Sequence, residues 1–224
     1  MISEKAVKPQ IFAQLSRIGK AVANGNRLEL LEFLAQSERS VESLAKVANI
    51  TIANTSQHLQ TLRQCGLVTA RKDGQKVYYR LSDRRVVALL SIMRELAEDH
   101  LADLEKLISI YLTSRDGMDP VPAQELLRWA REGSVTVLDV RPVEEYSAGH
   151  LPGAVNIPLK ELEANLSLLP PSQEIVAYCR GPYCVLAFEA VARLRAKGYR
   201  ARRLEDGLPE WQLAGLPTER GVVA

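Results

Sequence analysis

Apolar residues recur at helical spacing through the first half of the chain and then change rhythm. Leu28, Leu30, Leu31 and Leu34 mark one helical face, and Val41, Leu44, Ala45 and Val47 mark a second, shorter one opened by Ser40 as N-cap. The segment "ANI" breaks the pattern, and Thr51 caps a further helix, Ile52 to Cys65, that stops at Gly66. Two short helices joined by a tight turn predict a helix-turn-helix. The next stretch, "LVTARKDGQKVYYRLS", alternates on either side of Asp73-Gly74, a dipeptide that supplies the positive φ angles of a tight hairpin. A basic hairpin in that place reads as a wing. From Arg84 to about Thr113 the apolar positions Val86, Leu90, Met93, Ala97, Leu101, Leu104 and Ile108 return to helical spacing. So long an amphipathic stretch predicts packing on a second copy of the chain, with burial on its own domain as the alternative.

The polar, Gly- and Pro-bearing stretch "TSRDGMDPVP" reads as a linker with a boundary near Gly117, which divides the chain into residues 1–117 and 118–224. Beyond it the pattern alternates between types: "AQELLRWAREG" as helix, "VTVLDVR" as strand, "VEEYSAGHLPGAVNIP" as helix and turn, "EIVAYC" as strand, "VLAFEAVARLRAKGY" as helix and "ARRLEDG" as strand. Such alternation predicts an α/β domain with a parallel sheet. The expected fold class is therefore two domains, mainly α with a hairpin wing first and α/β second.

Composition adds to this division. The chain has 224 residues, enough for two modest cores, and a net charge of +2. The charge is uneven, +4 over residues 1–118 and −2 over the remainder. Most of the basic excess lies between Arg63 and Arg85, where seven basic residues face Asp73 and Asp83, as expected of a surface that meets phosphate. Three cysteines carry no disulfide-framework spacing, no secretory leader pattern opens the chain, and no apolar run reaches the length needed to span a bilayer. These features predict a cytoplasmic protein with reduced thiols and no membrane partner.

The segment "EIVAYCRGPYC" carries the chemistry. A strand ends in Cys179, a short Arg180-Gly181-Pro182 loop follows, and Cys184 opens a helix. Loop N–H groups and a helix N-terminus stabilise a thiolate, which makes Cys179 a candidate nucleophile. The same nest suits an oxyanion, and a small buried side chain at a strand end is the plain structural alternative.

Together, "LDVRPVEEYSAGHLPGAVNIP", "YCRGPYC" and "LEDGLPEWQLAGLPTE" resemble the rhodanese domain family over about residues 118–221. The resemblance implies a rhodanese-like fold in which the Cys179 thiolate accepts a sulfane sulfur, holds it as a persulfide and passes it to a thiophilic acceptor. Loop N–H groups from Arg180 to Val185, except Pro182, would steady the outer sulfur. By the same resemblance Asp139 and Arg141 of "LDVR" brace the loop, Gly181 and Pro182 shape it, His150 belongs to a turn and Trp211 to the core. Cys184 stands where many single-domain relatives of that family carry a basic residue. That exchange removes a contact for anionic donors such as thiosulfate, which Arg180 would partly replace, and supplies a thiol able to resolve a Cys179 persulfide into a bridge. Packing at the first turn of a helix is the alternative for Cys184.

The stretch from "NRLELLEFL" to "VYYRLSD" resembles the ArsR-type winged helix-turn-helix repressors, over about residues 15–110. That resemblance implies a homodimer joined through terminal helices and a recognition helix in the major groove of operator DNA. Asn54, Ser56, Gln57 and Gln60 are candidates for base edges, and Thr61, Arg63, Arg71, Lys72 and Lys76 for phosphate or the minor groove, with His58 facing DNA or packed. Leu59 and Leu62 belong to the buried side, and Cys65 is expected to pack against the wing. The metal-sensing cysteine pair of that family has no counterpart in "SVESLAKVA", and His100 with Asp99, Asp103 and Glu105 lacks a second histidine, so neither metal nor cofactor is expected.

The combined expectation is a DNA-binding transcriptional regulator that senses or transfers reactive sulfur through a Cys179 persulfide or a Cys179–Cys184 bridge, with a sulfur donor and a thiol acceptor as small-molecule or protein partners. A sulfurtransferase tethered to DNA, an arsenate or other oxyanion reductase, and a rhodanese-like docking module are the rivals. Whether the domain turns over as a thiosulfate or persulfide sulfurtransferase is left open by the residues.

Overall fold

The computed structural model describes residues 4–113 and 120–221, so most of the linker, with the boundary at Gly117, lies outside the described residues. Two compact units are present, Met1–Leu90 and Ser91–Ala224.

The first unit holds helices α1 (Glu4–Val22), α2 (Gly25–Gln36), α3 (Val41–Val47) and α4 (Ile52–Gln64). Its core is the apolar face anticipated from spacing: Leu30, Leu31, Leu44, Leu59 and Leu62 are fully buried. The caps are made by the expected residues, since Ser40 Oγ accepts from Ser43 N and Thr51 Oγ1 accepts from Asn54 N. Strands β1 (Arg39–Ser40), β2 (Val68–Asp73) and β3 (Lys76–Leu81) form an antiparallel sheet in the order β1-β3-β2. Asp73 pairs with Lys76, so Gly74 and Gln75 are the turn, and Gly74 takes the positive φ of +58° that the hairpin needs.

Helix α5 (Arg85–His100) begins in this unit and ends in the next. Asp83 starts it, accepting from Arg85 N at 2.7 Å and pairing with the Arg85 guanidinium. That arginine holds the Asp83 carboxyl down at about 2. The amphipathic stretch does not continue unbroken to Thr113. Leu101 is extended (φ −110°, ψ 93°), α6 runs from Ala102 to Ile108, and a π turn covers Ser109–Thr113. Charge favours the break: Glu98 and Asp99 oppose the negative end of α5, whereas the restart puts Asp103 and Glu105 in the first turn of α6.

In the second unit α7 (Ala123–Glu132), β4 (Val135–Asp139), α8 (Val143–Ala148), β5 (Val155–Asn156), β6 (Glu174–Tyr178), α9 (Val185–Ala196), β7 (Ala201–Arg203) and α10 (Leu208–Leu213) alternate. The strands form a parallel sheet in the order β5-β4-β6-β7. The period-2 rule divides the centre of the sheet between two cores. Ile175, Ala177 and Cys179 join the core that includes Ala187, Val191 and Leu194 of α9, while Val176 and Tyr178 join Leu126 and Trp211 on the other side. Trp211 Nε1 donates to the Pro217 carbonyl, satisfying the one polar atom of a buried indole. The two-residue β5 stands inside the segment read as helix and turn, and 3₁₀ turns at Leu159–Glu161 and Glu163–Leu168 follow no legible periodicity. Among the described residues, no helix is long and apolar enough to cross a membrane.

Candidate cysteine site and DNA-facing surface

Strand β6 is central in its sheet and delivers Cys179 at its end; α9 starts at Val185 with Cys184 as its N-cap. The five-residue step between them is a tight loop in which Cys184 N donates to the Gly181 carbonyl at 3.1 Å. The two Cα atoms are 6.1 Å apart and the sulfurs are bonded. Cys179 is 1% exposed and Cys184 9% exposed, so in this closed form both sulfurs are withdrawn from solvent.

Asp139 and Arg141 form a buried pair beside the last residue of β6. Asp139 ends β4 opposite Tyr178, its partner in the parallel register, and both side chains of the Asp139–Arg141 pair are fully buried at 2.6 Å. The carboxylate also accepts from the Arg141 backbone N–H at 2.9 Å and from the Tyr178 hydroxyl at 2.5 Å, and Arg141 donates onward to the Gly149 carbonyl. Burial works against the Arg141 charge, and Asp139 outweighs it, leaving the guanidinium firmly protonated. Burial first, then Asp139, pushes the Tyr178 phenol well up. Tyr178 oxygen also accepts from Leu151 N. This buried network meets Cys179 through Tyr178, the residue immediately before it.

Arg180 does not present its charge to the loop mouth as a free group. Its guanidinium grips the fully buried Glu145 of α8 through Nε at 3.0 and 2.9 Å and through a second nitrogen at 2.7 Å. Gly181 is buried against the turn before α10: a Cβ on Gly207 would collide with the Arg180 carbonyl and the Gly181 nitrogen. Tyr183, half-buried in the loop, donates to Glu98 of α5 at 2.5 Å. Burial and then Glu98 push its phenol well above the usual tyrosine range. His150 is fully buried, stacked on Tyr146 at 3.8 Å with Nδ1 at 2.9 Å from the Tyr146 carbonyl, in keeping with a turn residue.

Glu145, Tyr178, Tyr183 and Gly207 were not singled out by sequence patterning. Tyr178 and Gly207 were within reach, since one precedes the cysteine on a buried strand and the other closes "LEDG". Glu145 and Glu98 carry no local signal.

On α4, Asn54, Gln57, Gln60 and Arg63 are exposed, Ser56, His58 and Thr61 are half-buried, and Thr55, Leu59 and Leu62 form the buried side. The Thr61 hydroxyl donates to the Gln57 carbonyl, so that group is occupied by its own helix. On the wing Arg71, Lys72 and Lys76 are exposed. Arg71 is nonetheless engaged: it binds Glu38 at 2.6 Å and Asp73 at 2.9 Å and lies over the Tyr78 ring at 4.7 Å. Cys65 is half-buried with Sγ 3.6 Å from the Arg17 carbonyl on α1, a contact other than the wing packing read from sequence.

A recognition helix and wing on one unit and a cysteine loop on a parallel sheet in the other define a transcriptional regulator with a winged helix-turn-helix and a rhodanese-like domain. The comparisons agree. Residues 24–70 match the model of the bacterial regulatory proteins of the arsR family, and residues 122–214 match that of the rhodanese-like domain. HTH-type transcriptional regulator Rv0324 of Mycobacterium tuberculosis is 44% identical over 222 residues, 99% of this chain and 97% of that protein. A probable mercury resistance operon repressor of Streptomyces lividans is 39% identical over 90 residues, 40% of this chain and 72% of its own length. The solved homodimeric winged helix-turn-helix DNA-binding domain of a possible ArsR-family regulator from Mycobacterium bovis is 38% identical, covering 46% of this chain and 95% of that domain with a TM-score of 0.41. The chain belongs to the arsR family of transcriptional regulators, in the form that carries a rhodanese-like domain after the DNA-binding unit.

Proposed function

We propose that this regulator reads reactive sulfur: Cys179 takes a sulfane sulfur, Cys184 closes a bridge, and the change alters affinity for operator DNA. The observation that carries the reading is the placement of two cysteines at the two ends of one short loop, between a strand end and a helix N-terminus, with Cα atoms 6.1 Å apart. The Cys179 thiolate attacks the outer sulfur of a hydropersulfide, RSSH; the S–S bond of the donor breaks, RS⁻ leaves, and Cys179 carries S–SH. The Cys184 thiolate then attacks the Cys179 Sγ and expels HS⁻. Two thiolates are oxidised to a disulfide and the transferred sulfur is reduced to sulfide, so no other oxidant is needed.

The regulator acts as a homodimer in the cytoplasm. Ile11, Phe12 and Leu15 on α1 are 54–61% exposed, and Ile92 and Leu96 on α5 are each 55% exposed, apolar faces that a second copy would cover. The test is intact mass and peptide mapping of the reduced protein after treatment with inorganic polysulfide, with binding measured on the same samples to a duplex selected by the reduced protein from a random pool. Persulfide at Cys179 or a Cys179–Cys184 bridge, with an affinity change of at least about tenfold, roughly 1.4 kcal/mol, is expected. Modification without any change in DNA binding would sink the sensor reading in favour of a tethered enzyme.

A further inference from the structure

The cysteine loop is held at both ends by groups that converge on α5. At one end Tyr183 donates to Glu98 at 2.5 Å. At the other, Arg180 and Gly181 abut Gly207, whose N–H donates to Glu210 at 3.2 Å. Glu210 in turn is bound by Arg94 at 3.0 Å, and Arg94 also lies 3.7 Å from Asp206. Arg94 and Glu98 are four positions apart and so share one face of the helix. The Arg94–Glu210 pair is well shielded, with side chains 17% and 13% exposed. Burial works against the Arg94 charge, and Glu210 and Asp206 outweigh it. Beside the clasp is a cleft of about 500 Å³ walled by Glu98, Pro182, Tyr183, Phe188 and Asp206.

We propose that Arg94 and Glu98 form a two-point clasp through which α5 reads the state of the Cys179–Cys184 loop. The proposal rests on the sulfur-sensing reading and names the residues that carry its signal. Closing the bond fixes the loop from Arg180 to Tyr183, keeps Tyr183 on Glu98 and keeps Gly207 seated against Gly181. Opening it lets the loop relax, loosens both grips, and frees the end of α5, a helix whose first turns, with Val86 and Val87 buried, belong to the DNA-binding unit. A relaxed helix end changes the set of conformations open to the beginning of the same helix, which is the physical content of coupling between loop and DNA surface.

The experiment compares the full-length chain in its closed and phosphine-reduced forms, each verified by intact mass, as wild type, Tyr183→Phe and Glu98→Ala. Amide exchange over 91–100 and binding to the pool-selected duplex are read together. In the wild type, reduction should speed exchange over this segment at least about threefold and shift DNA affinity about tenfold. In both variants, which lose one of the two grips, the exchange of the closed form should move toward that of the reduced form, and the affinity difference should fall at least about threefold. Wild-type exchange that is indifferent to reduction overturns the clasp, whatever DNA binding does. A full affinity difference retained by both variants overturns it too and leaves the sensor reading standing. Exchange that responds while wild-type DNA affinity does not move overturns the sensor reading and leaves the local clasp in place.

Discussion

The two units use polar groups in opposite ways. In the DNA-binding unit the candidate contact residues Asn54, Gln57, Gln60, Arg63, Lys72 and Lys76 are exposed on a helix and a hairpin. In the rhodanese-like unit the defining polar groups Asp139, Arg141, Glu145 and His150 are fully buried and locked to one another or to backbone. The first arrangement suits a partner that arrives from outside with its own charges and waters. The second suits chemistry on one atom, whose position must be fixed in advance. Each unit therefore has a characteristic weakness, stability in one and affinity in the other.

The largest expected effect comes from breaking the buried pair. Asp139→Ala strands the Arg141 charge in the core and should cost the second unit about 3–5 kcal/mol in denaturant unfolding. Its effect on the first unit's unfolding should be slight, and an equal loss in both would erase the contrast drawn above. Gln57→Ala should do the reverse, leaving stability unchanged and weakening binding to the selected duplex by about 1–3 kcal/mol if it reads a base edge. Thr51→Ala tests scaffold rather than contact within the same unit. Loss of the cap on Asn54 N should lower stability by about 1 kcal/mol and weaken DNA binding only in proportion.

Wing charges sharpen the comparison further. Lys72→Ala should reduce the slope of log affinity against log salt by about 1, as for a lost phosphate contact. Arg71→Ala should reduce it less, because Glu38 and Asp73 already balance that charge. A larger change at Arg71 would mean that DNA displaces both carboxylates. The smallest effect concerns acid. Asp83 is held at about 2, below its unfolded value, so its contribution to stability is complete above roughly pH 4 and is lost as the pH falls toward 2. Asp83→Asn should flatten that part of the acid-unfolding profile.

The legible parts of this molecule were the local ones. Thr51, Gly66 and Asp73-Gly74 announced the recognition helix and wing because caps and turns are decided by a few adjacent residues. The strand, loop and helix around Cys179 were equally readable. What escaped were pairings at a distance: Arg71 with Glu38, 33 residues away; Arg180 with Glu145, 35 away; Tyr183 with Glu98, 85 away. A basic residue in a loop looks available until the fold supplies its acid, and that partner has no periodicity to betray it. The break at Leu101 escaped for a related reason, since apolar spacing continues across it while the dipole balance of two shorter helices wins.

Both tryptophans of the chain, Trp129 and Trp211, belong to the rhodanese-like unit, one half-buried under Arg202 and the other fully enclosed. Indole fluorescence is therefore a private signal of that unit, while far-ultraviolet circular dichroism sums the helices of both. Recorded on one sample, the two probes would separate into two transitions wherever the units unfold independently and would superimpose wherever they melt as one.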